Sequence, residues 1–340
     1  MYSESDLDGA VRAGVLSPQA AAAFRAHVAA GRAAPAVDEE HFRLLTGFND
    51  IFVAIALTLL LVAVSWIGGS IISPLAGAAV AATAWLLAEY FTARRRMALP
   101  SILLLIAFVG GVASALALIA YAAVPYPSDR TGAVIAAFVA MASAGAAWLH
   151  WRRFMVPITV AAGALAVVGT AVSLLLAAVP TLAEQVWPLL LLAGVAMFAL
   201  AMRWDMSDRA RTTRRSDVAF WLHLAAAPLI AHPVFQMLGV FDGDIGGGTA
   251  MVAIALYLGF AAVALAVDRR ALLVSSLIYV LYALYELFRR AGAVELGAAF
   301  TALVIGAALL TLSAFWQPIR RRVVTAMGAA WASRLPPVAA

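Results

Sequence analysis

Residues Phe48–Gly68 read FNDIFVAIALTLLLVAVSWIG, and after Asp50 the stretch carries no charge. A helix rising about 1.5 Å per residue needs about 20 apolar residues to cross roughly 30 Å of hydrocarbon. This stretch meets that requirement, and nine others of similar length and character follow it, at about 71–91, 99–122, 132–150, 154–178, 186–203, 216–239, 249–267, 271–288 and 296–316. Hydrocarbon offers no partner to a backbone N–H or C=O, so these segments are expected to be helices. The alternating polarity of a membrane β-barrel is absent. The sequence therefore predicts an all-α, polytopic membrane helix bundle of about ten transmembrane helices.

Composition agrees. Hydrophobic residues make up 65% of the 340 positions, mean hydropathy is +0.96 and charged residues are 12%. A water-soluble domain is about 45–50% apolar and about 25% charged. All 23 basic residues are Arg, which with the abundance of Ala points to a GC-rich bacterial genome. The net charge of +5 does not predict nucleic-acid binding, because the arginines flank apolar spans, where the positive-inside rule expects them. With no Cys, disulfides, thiolate metal sites and Cys nucleophiles are excluded.

The arginines also predict orientation. With the N-terminus in the cytoplasm, 20 of the 23 fall on the inner side, and Arg130, Arg289 and Arg290 fall outside. Both termini are then cytoplasmic, as expected for a multi-pass protein of the bacterial inner membrane. The opening MYSESDLDGA is acidic and unlike a cleavable signal peptide, so the first span is expected to serve as the targeting signal. Three regions result: a helical hairpin and linker over 1–47, a transmembrane domain over 48–316, and a tail over 317–340 with an arginine-bearing amphipathic helix suited to the membrane interface. In the hairpin, Ser17-Pro18 reads as a helix N-cap followed by Pro at the first helical position. Ten spans divide into five plus five, which would make two halves inverted, as in many secondary transporters.

Ionisable residues inside spans are costly and are functional candidates. The span 216–239 carries His223, His232 and Gln236, with Asp217 at its start. At 1.5 Å per residue, His232 lies about 24 Å from the inner end and His223 about 10 Å. Glu286, in the span 271–288, lies about 22 Å up, level with His232. A His232–Glu286 pair would raise the imidazole pKa and suit a proton-coupled step. The alternative partners of Glu286 are Arg289 and Arg290, at i+3 and i+4. Pro228 and Pro233 remove helical donors opposite Leu224 and Leu229, so this span is expected to be kinked or broken. Asp50, Glu89 and Asp217 lie near the inner ends of their spans, as an ion-pair network fixing helix ends or as a polar vestibule. His27, His41 and His150 lie outside spans or at an edge.

The loop Arg203–Asp217 (RWDMSDRARTTRRSD) offers arginines to anionic lipid heads. Small residues at Gly110-Gly111 and at Gly169 and Ser173 permit close helix packing. Asp242-Gly243-Asp244 falls short of a calcium loop, and no phosphate loop, HExxH or GxSxG occurs. No metal, cofactor or enzymatic activity is expected from this residue set.

Two segments carry a resemblance. LDGAVRAGVLSPQAAAAF, with its Gly14–Pro18 turn, and RRSDVAFWLHLAAAPLIAHPVF (Arg214–Phe235) resemble an uncharacterised proteobacterial family of multi-span inner-membrane proteins. Such proteins carry a short N-terminal helical pair ahead of the membrane domain. The resemblance implies the topology above and no activity. The functional expectation is a secondary transporter or permease with His232, Glu286, His223 and Gln236 near its pathway. The alternative is a membrane scaffold or sensor whose hairpin docks a protein partner.

Overall fold

The computed structural model describes residues 4–31, 48–209, 211, 213–239, 247–270, 272–273, 277, 281, 294–328 and 335. They are helical, with no strand among them. The chain forms two compact units, Met1–His41 with Val338–Ala340, and Phe42–Pro337.

In the first unit, α1 (Glu4–Arg12) and α2 (Pro18–Gly31) form a hairpin. Gly14 turns the chain at φ +71°, a conformation that suits a residue without Cβ. Ser17 caps α2, accepting a bond from the Ala20 N–H at 3.0 Å. Arg25 donates to Asp8 at 2.8 Å, and both side chains stay well exposed, so the pair adds little stability.

The second unit contains α3 (Phe48–Ile71), α4 (Ser73–Ala88), α5 (Ala98–Ala123), α6 (Asp129–Phe154), α7 (Ile158–Ala178), α8 (Val186–Ser207), α9 (Arg214–Met237), α10 (Gly247–Val267), α11 (Val294–Ala314) and α12 (Trp316–Ala326). A π-turn, Glu89–Arg94, continues α4. Among the described residues, seven helices, α3 to α9, are long and apolar enough to cross a membrane. Within α10 the described apolar stretch is Ile254–Val267, and most of the expected span 271–288 lies outside the described residues.

The surface is apolar where water would demand polarity. Trp66 is 79% exposed, and Leu86, Leu192 and Leu258 also face outward. Contiguous exposure on this scale suits hydrocarbon as the solvent. Small residues take a large part of the interior: Ala84, Ala147, Ala201, Ala219, Ala226 and Ala231 are fully buried, alongside Leu104, Leu105, Leu222 and Phe235. In lipid the apolar surface of a helix gains little from meeting another helix. Close van der Waals approach is what holds such helices together.

Glycines mark the closest approaches. A methyl on Gly77 (α4) would lie 2.6 Å from the Ala115 nitrogen of α5, and one on Gly111 (α5) 2.7 Å from the Gly77 carbonyl oxygen. Gly169, expected to pack as closely, would make only ordinary contact, 3.5 Å from Ala140 Cβ.

Of the kinked or broken span expected over 216–239, the break does not occur: α9 is continuous across Pro228 and Pro233. One compensation is visible. Pro233 deprives the Leu229 carbonyl of its helical donor, and that carbonyl oxygen lies 2.8 Å from where a Cβ on Gly194 of α8 would stand. The missing side chain lets α8 cover the interrupted turn.

Gly77→Val or Gly111→Val should force α4 and α5 apart, lowering stability by about 1–3 kcal/mol. Gly110→Val, where an added Cβ meets nothing within 4 Å, should stay within about 0.5 kcal/mol of wild type. Thermal unfolding of the detergent-solubilised protein measures both, and equal midpoints for the Gly110 and Gly111 variants would contradict the packing.

Candidate functional site

Most of the described arginines of the second unit collect at one end, where α4, α6, α8 and α10 finish and α5, α7 and α9 begin, while Arg130 at the start of α6 bonds the Ala177 carbonyl at the other. Within this end lies a charged cluster out of contact with solvent. It starts from the register of α8. Met197, Ala201 and Asp205 recur at i+4 and are all buried, so Asp205 continues the packed face of the helix into its last turn. The facing stripe of α9 presents Ser216, Ala219, His223 and Ala226.

His223 Nε2–H donates to Asp205 Oδ2 at 2.9 Å. A carboxylate can only accept, so the proton sits on Nε2. Among the described residues Nδ1 has no partner, and the ring stands edge-on to Phe198 of α8 at 5.2 Å between centroids. Arg269 reaches Asp205 from beyond α10 with both faces of its fork, Nε to Oδ2 at 3.2 Å and Nη2 to Oδ1 at 2.5 Å. Its Nη2 also donates to the Ser216 carbonyl at 3.1 Å. Such bidentate, charge-assisted bonds are among the strongest a side chain makes.

The turn that delivers Arg269 is itself anchored. Asp268 takes φ +63°, and the Arg269 N–H bonds back to the Ala264 carbonyl at 2.9 Å. Asp268 accepts from Arg211 Nη1 at 3.1 Å and from the Trp316 indole N–H at 2.8 Å, and Arg320 Nε lies 3.4 Å away. Arg211 Nη2 adds bonds to the Val267 and Asp268 carbonyls. Burial lowers the Arg211 pKa and Arg269 adds to that, while Asp268 and Asp205 act in the opposite direction. Asp205, Arg269, Asp268 and Arg320 are all at most 4% exposed. The cluster thus ties α8, α9, the turn after α10 and the start of α12 into one polar knot.

Among residues singled out from the sequence, His223 belongs to this knot. His232 does not: it is half-buried nine residues further along α9, with its ring 5.3 Å from that of Trp187 at the opposite end of α8. Gln236 is half-buried one turn beyond it. Glu286, the expected partner of His232, lies outside the described residues, as do Arg289 and Arg290.

Asp50, Glu89 and Asp217 have separate settings. Asp50 is buried in the first turn of α3, where a helix N-terminus favours a carboxylate. Glu89 accepts two bonds from Arg153 of α6 at a half-exposed site. Asp217 lines a cleft bounded by the π-turn after α4 and by α5, α6, α7 and α9. The arginines of the 203–217 loop also divide. Arg209 bonds the Leu335 carbonyl and Arg211 enters the buried knot, while Arg214 lines the cleft. His150, expected at a span edge, is fully buried among Trp85, Phe108 and Phe154, with Nδ1 3.1 Å from Thr159 Oγ1.

Sequence reasoning missed Asp205, Asp268 and Arg269 as partners. The expected span ends at 203, although the Met197–Ala201 spacing extended by one more turn lands on Asp205. No group of three or more His, Asp or Glu side chains suited to a metal occurs among the described residues. Comparison with family models, with curated proteins and with solved structures finds no match to this chain.

Asp205→Ala would leave Arg269 and His223 buried without their acceptor, and should destabilise the protein by about 3–5 kcal/mol. Glu89→Ala breaks a half-exposed pair and should cost no more than about 1 kcal/mol. Thermal or denaturant unfolding in detergent measures both, and comparable losses would show that the buried cluster is no stronger than the surface pair.

Proposed function

We propose that the protein is a secondary transporter of the bacterial inner membrane, with both termini in the cytoplasm. In this reading the Asp205–His223–Arg269 cluster is the lock that opens and closes its arginine-rich end. The observation that carries the proposal is the complete burial of these ionisable groups at the junction of α8, α9 and the turn after α10. Charges buried in a membrane protein mark pathways and relays. They are also a costly way to hold helices together, since apolar side chains of the same volume do so as well or better.

The chemistry suits a proton-linked cycle. Ionised Asp205 accepts from His223 and Arg269 together. The two donors hold the carboxylate ionised, so in this reading a proton is taken up only as the Arg269 fork is displaced, and it then keeps α8 and α9 free of the turn after α10. Reionisation restores the lock. His232 and Gln236 lie further along the same helix and would line the pathway beyond it.

Reconstituted protein under an imposed proton gradient should give currents on a solid-supported membrane when organic anions, cations and neutral solutes are applied in turn. His223→Ala should abolish the current produced by the active solute, and Arg152→Ala, outside the cluster, should not. An undiminished current in His223→Ala would remove the lock from the mechanism. Silence toward every solute class from monodisperse, inserted protein would contradict transport itself.

A second reading, a scaffold or sensor that docks a partner through its N-terminal hairpin, draws on one observation: α1 and α2 belong to a compact unit of their own. It predicts that the same assay stays silent.

A further inference from the structure

The cleft lined by Asp217 encloses about 480 Å³. Its wall contains Arg96, Arg153 and Arg214, one from each of the segments that follow α4, end α6 and begin α9. Met97 and Ala98, Pro157 and Ile158, and Arg214 also line it, and these are the first residues of α5, α7 and α9. Three long helices therefore start at one cavity. Each helix start carries backbone N–H groups without helical acceptors and a partial positive charge. Together with guanidinium groups they form the usual protein environment for a phosphate.

A second observation points to a ligand. Thr92 lines the same cleft at 7% exposure, and its hydroxyl has no hydrogen-bond partner among the described residues. Four other helical threonines, Thr58, Thr170, Thr311 and Thr325, bond back to the carbonyl four residues earlier. Thr92 lies in the π-turn Glu89–Arg94, where the wider helical register displaces that carbonyl. π-Turns of this kind are frequent at functional sites. The chain is also held at φ +52° at Arg96 and φ +56° at Met155, both on the cleft wall.

We propose that this cleft binds a phosphate ester, held by Arg96 and Arg214 at the converging starts of α5, α7 and α9, with the Thr92 hydroxyl as an additional donor. The lining carries three guanidinium groups against the single carboxylate of Asp217, and Glu89, bonded to Arg153 from outside the lining, leaves a net formal charge of +1. The volume exceeds that of a bare phosphate and admits the organic group attached to it. The phosphate belongs to a lipid headgroup or to a soluble ester, and the proposal holds whether or not the protein transports.

The test uses full-length protein in a neutral detergent, with short-chain phosphatidylglycerol, glycerol 3-phosphate and short-chain phosphatidylcholine as probes. Binding is read by microscale thermophoresis and checked by native mass spectrometry. Phosphatidylglycerol should bind more tightly than phosphatidylcholine, and Arg96→Ala and Arg214→Ala should each weaken it about tenfold or more. Both side chains are exposed, so neither change should disturb folding. Thr92→Val should weaken binding less. Arg152→Ala, whose guanidinium stacks on Trp148 away from the cleft, should leave it unchanged. Saturable binding of glycerol 3-phosphate with the same arginine dependence assigns the site to soluble esters. Binding of the lipid alone assigns it to a headgroup. Equal affinity for the two lipids without saturable binding of glycerol 3-phosphate, or losses in the Arg96 and Arg214 variants no greater than in Arg152→Ala, would overturn the proposal.

Discussion

Hydrocarbon cannot hydrogen-bond, and that constraint shapes nearly everything in this molecule. A backbone that crosses it must satisfy its own N–H and C=O groups, which leaves the helix as the available form for α3 to α9. It also inverts the usual arrangement of side chains. Trp66 and Leu86 point outward, and the helix contacts are lined with alanine and glycine. Where a helix cannot meet its own requirement, a neighbour comes close: at the Leu229 carbonyl, freed by Pro233, α8 offers Gly194.

The same constraint makes the buried charges at the arginine-rich end informative. Asp205, Asp268, Arg269 and Arg320 are withdrawn from solvent together, and His223, Arg211 and Trp316 complete their bonding. Removing any one member strands another, so the knot behaves as a unit. It joins parts distant in sequence, from Asp205 on α8 to Arg320 on α12. The neighbouring cleft is built differently, with exposed arginines, helix starts and one unsatisfied hydroxyl. One feature has its charges matched internally, and the other presents an excess of positive charge.

The helices were legible because the physics that creates them is periodic and local. Uncharged stretches of membrane length gave α3 to α9 to within a few residues, and Ser17-Pro18 marked the start of α2. The charged knot was not legible, since it depends on which helices touch and in what register. His223 was found because it lies inside an apolar run. Asp205, two residues past Arg203, reads as loop until α8 is known to continue to Ser207. Asp268 and Arg269 look like ordinary topology-setting charges until the turn after α10 directs them inward. The unbroken course of α9 was equally hidden, because two prolines argue for a break and the compensating residue, Gly194, lies on another helix.

The most direct measurement exploits the absence of native cysteine. Single cysteines placed at Ser207, at the arginine-rich end, and at Tyr126, beyond the opposite end of α5, can be labelled with a membrane-impermeant maleimide in right-side-out and in inverted vesicles. A bilayer-spanning bundle predicts that each position reacts in one vesicle preparation and that the two react in opposite ones. Labelling of both from the same side would contradict the crossing on which the account rests.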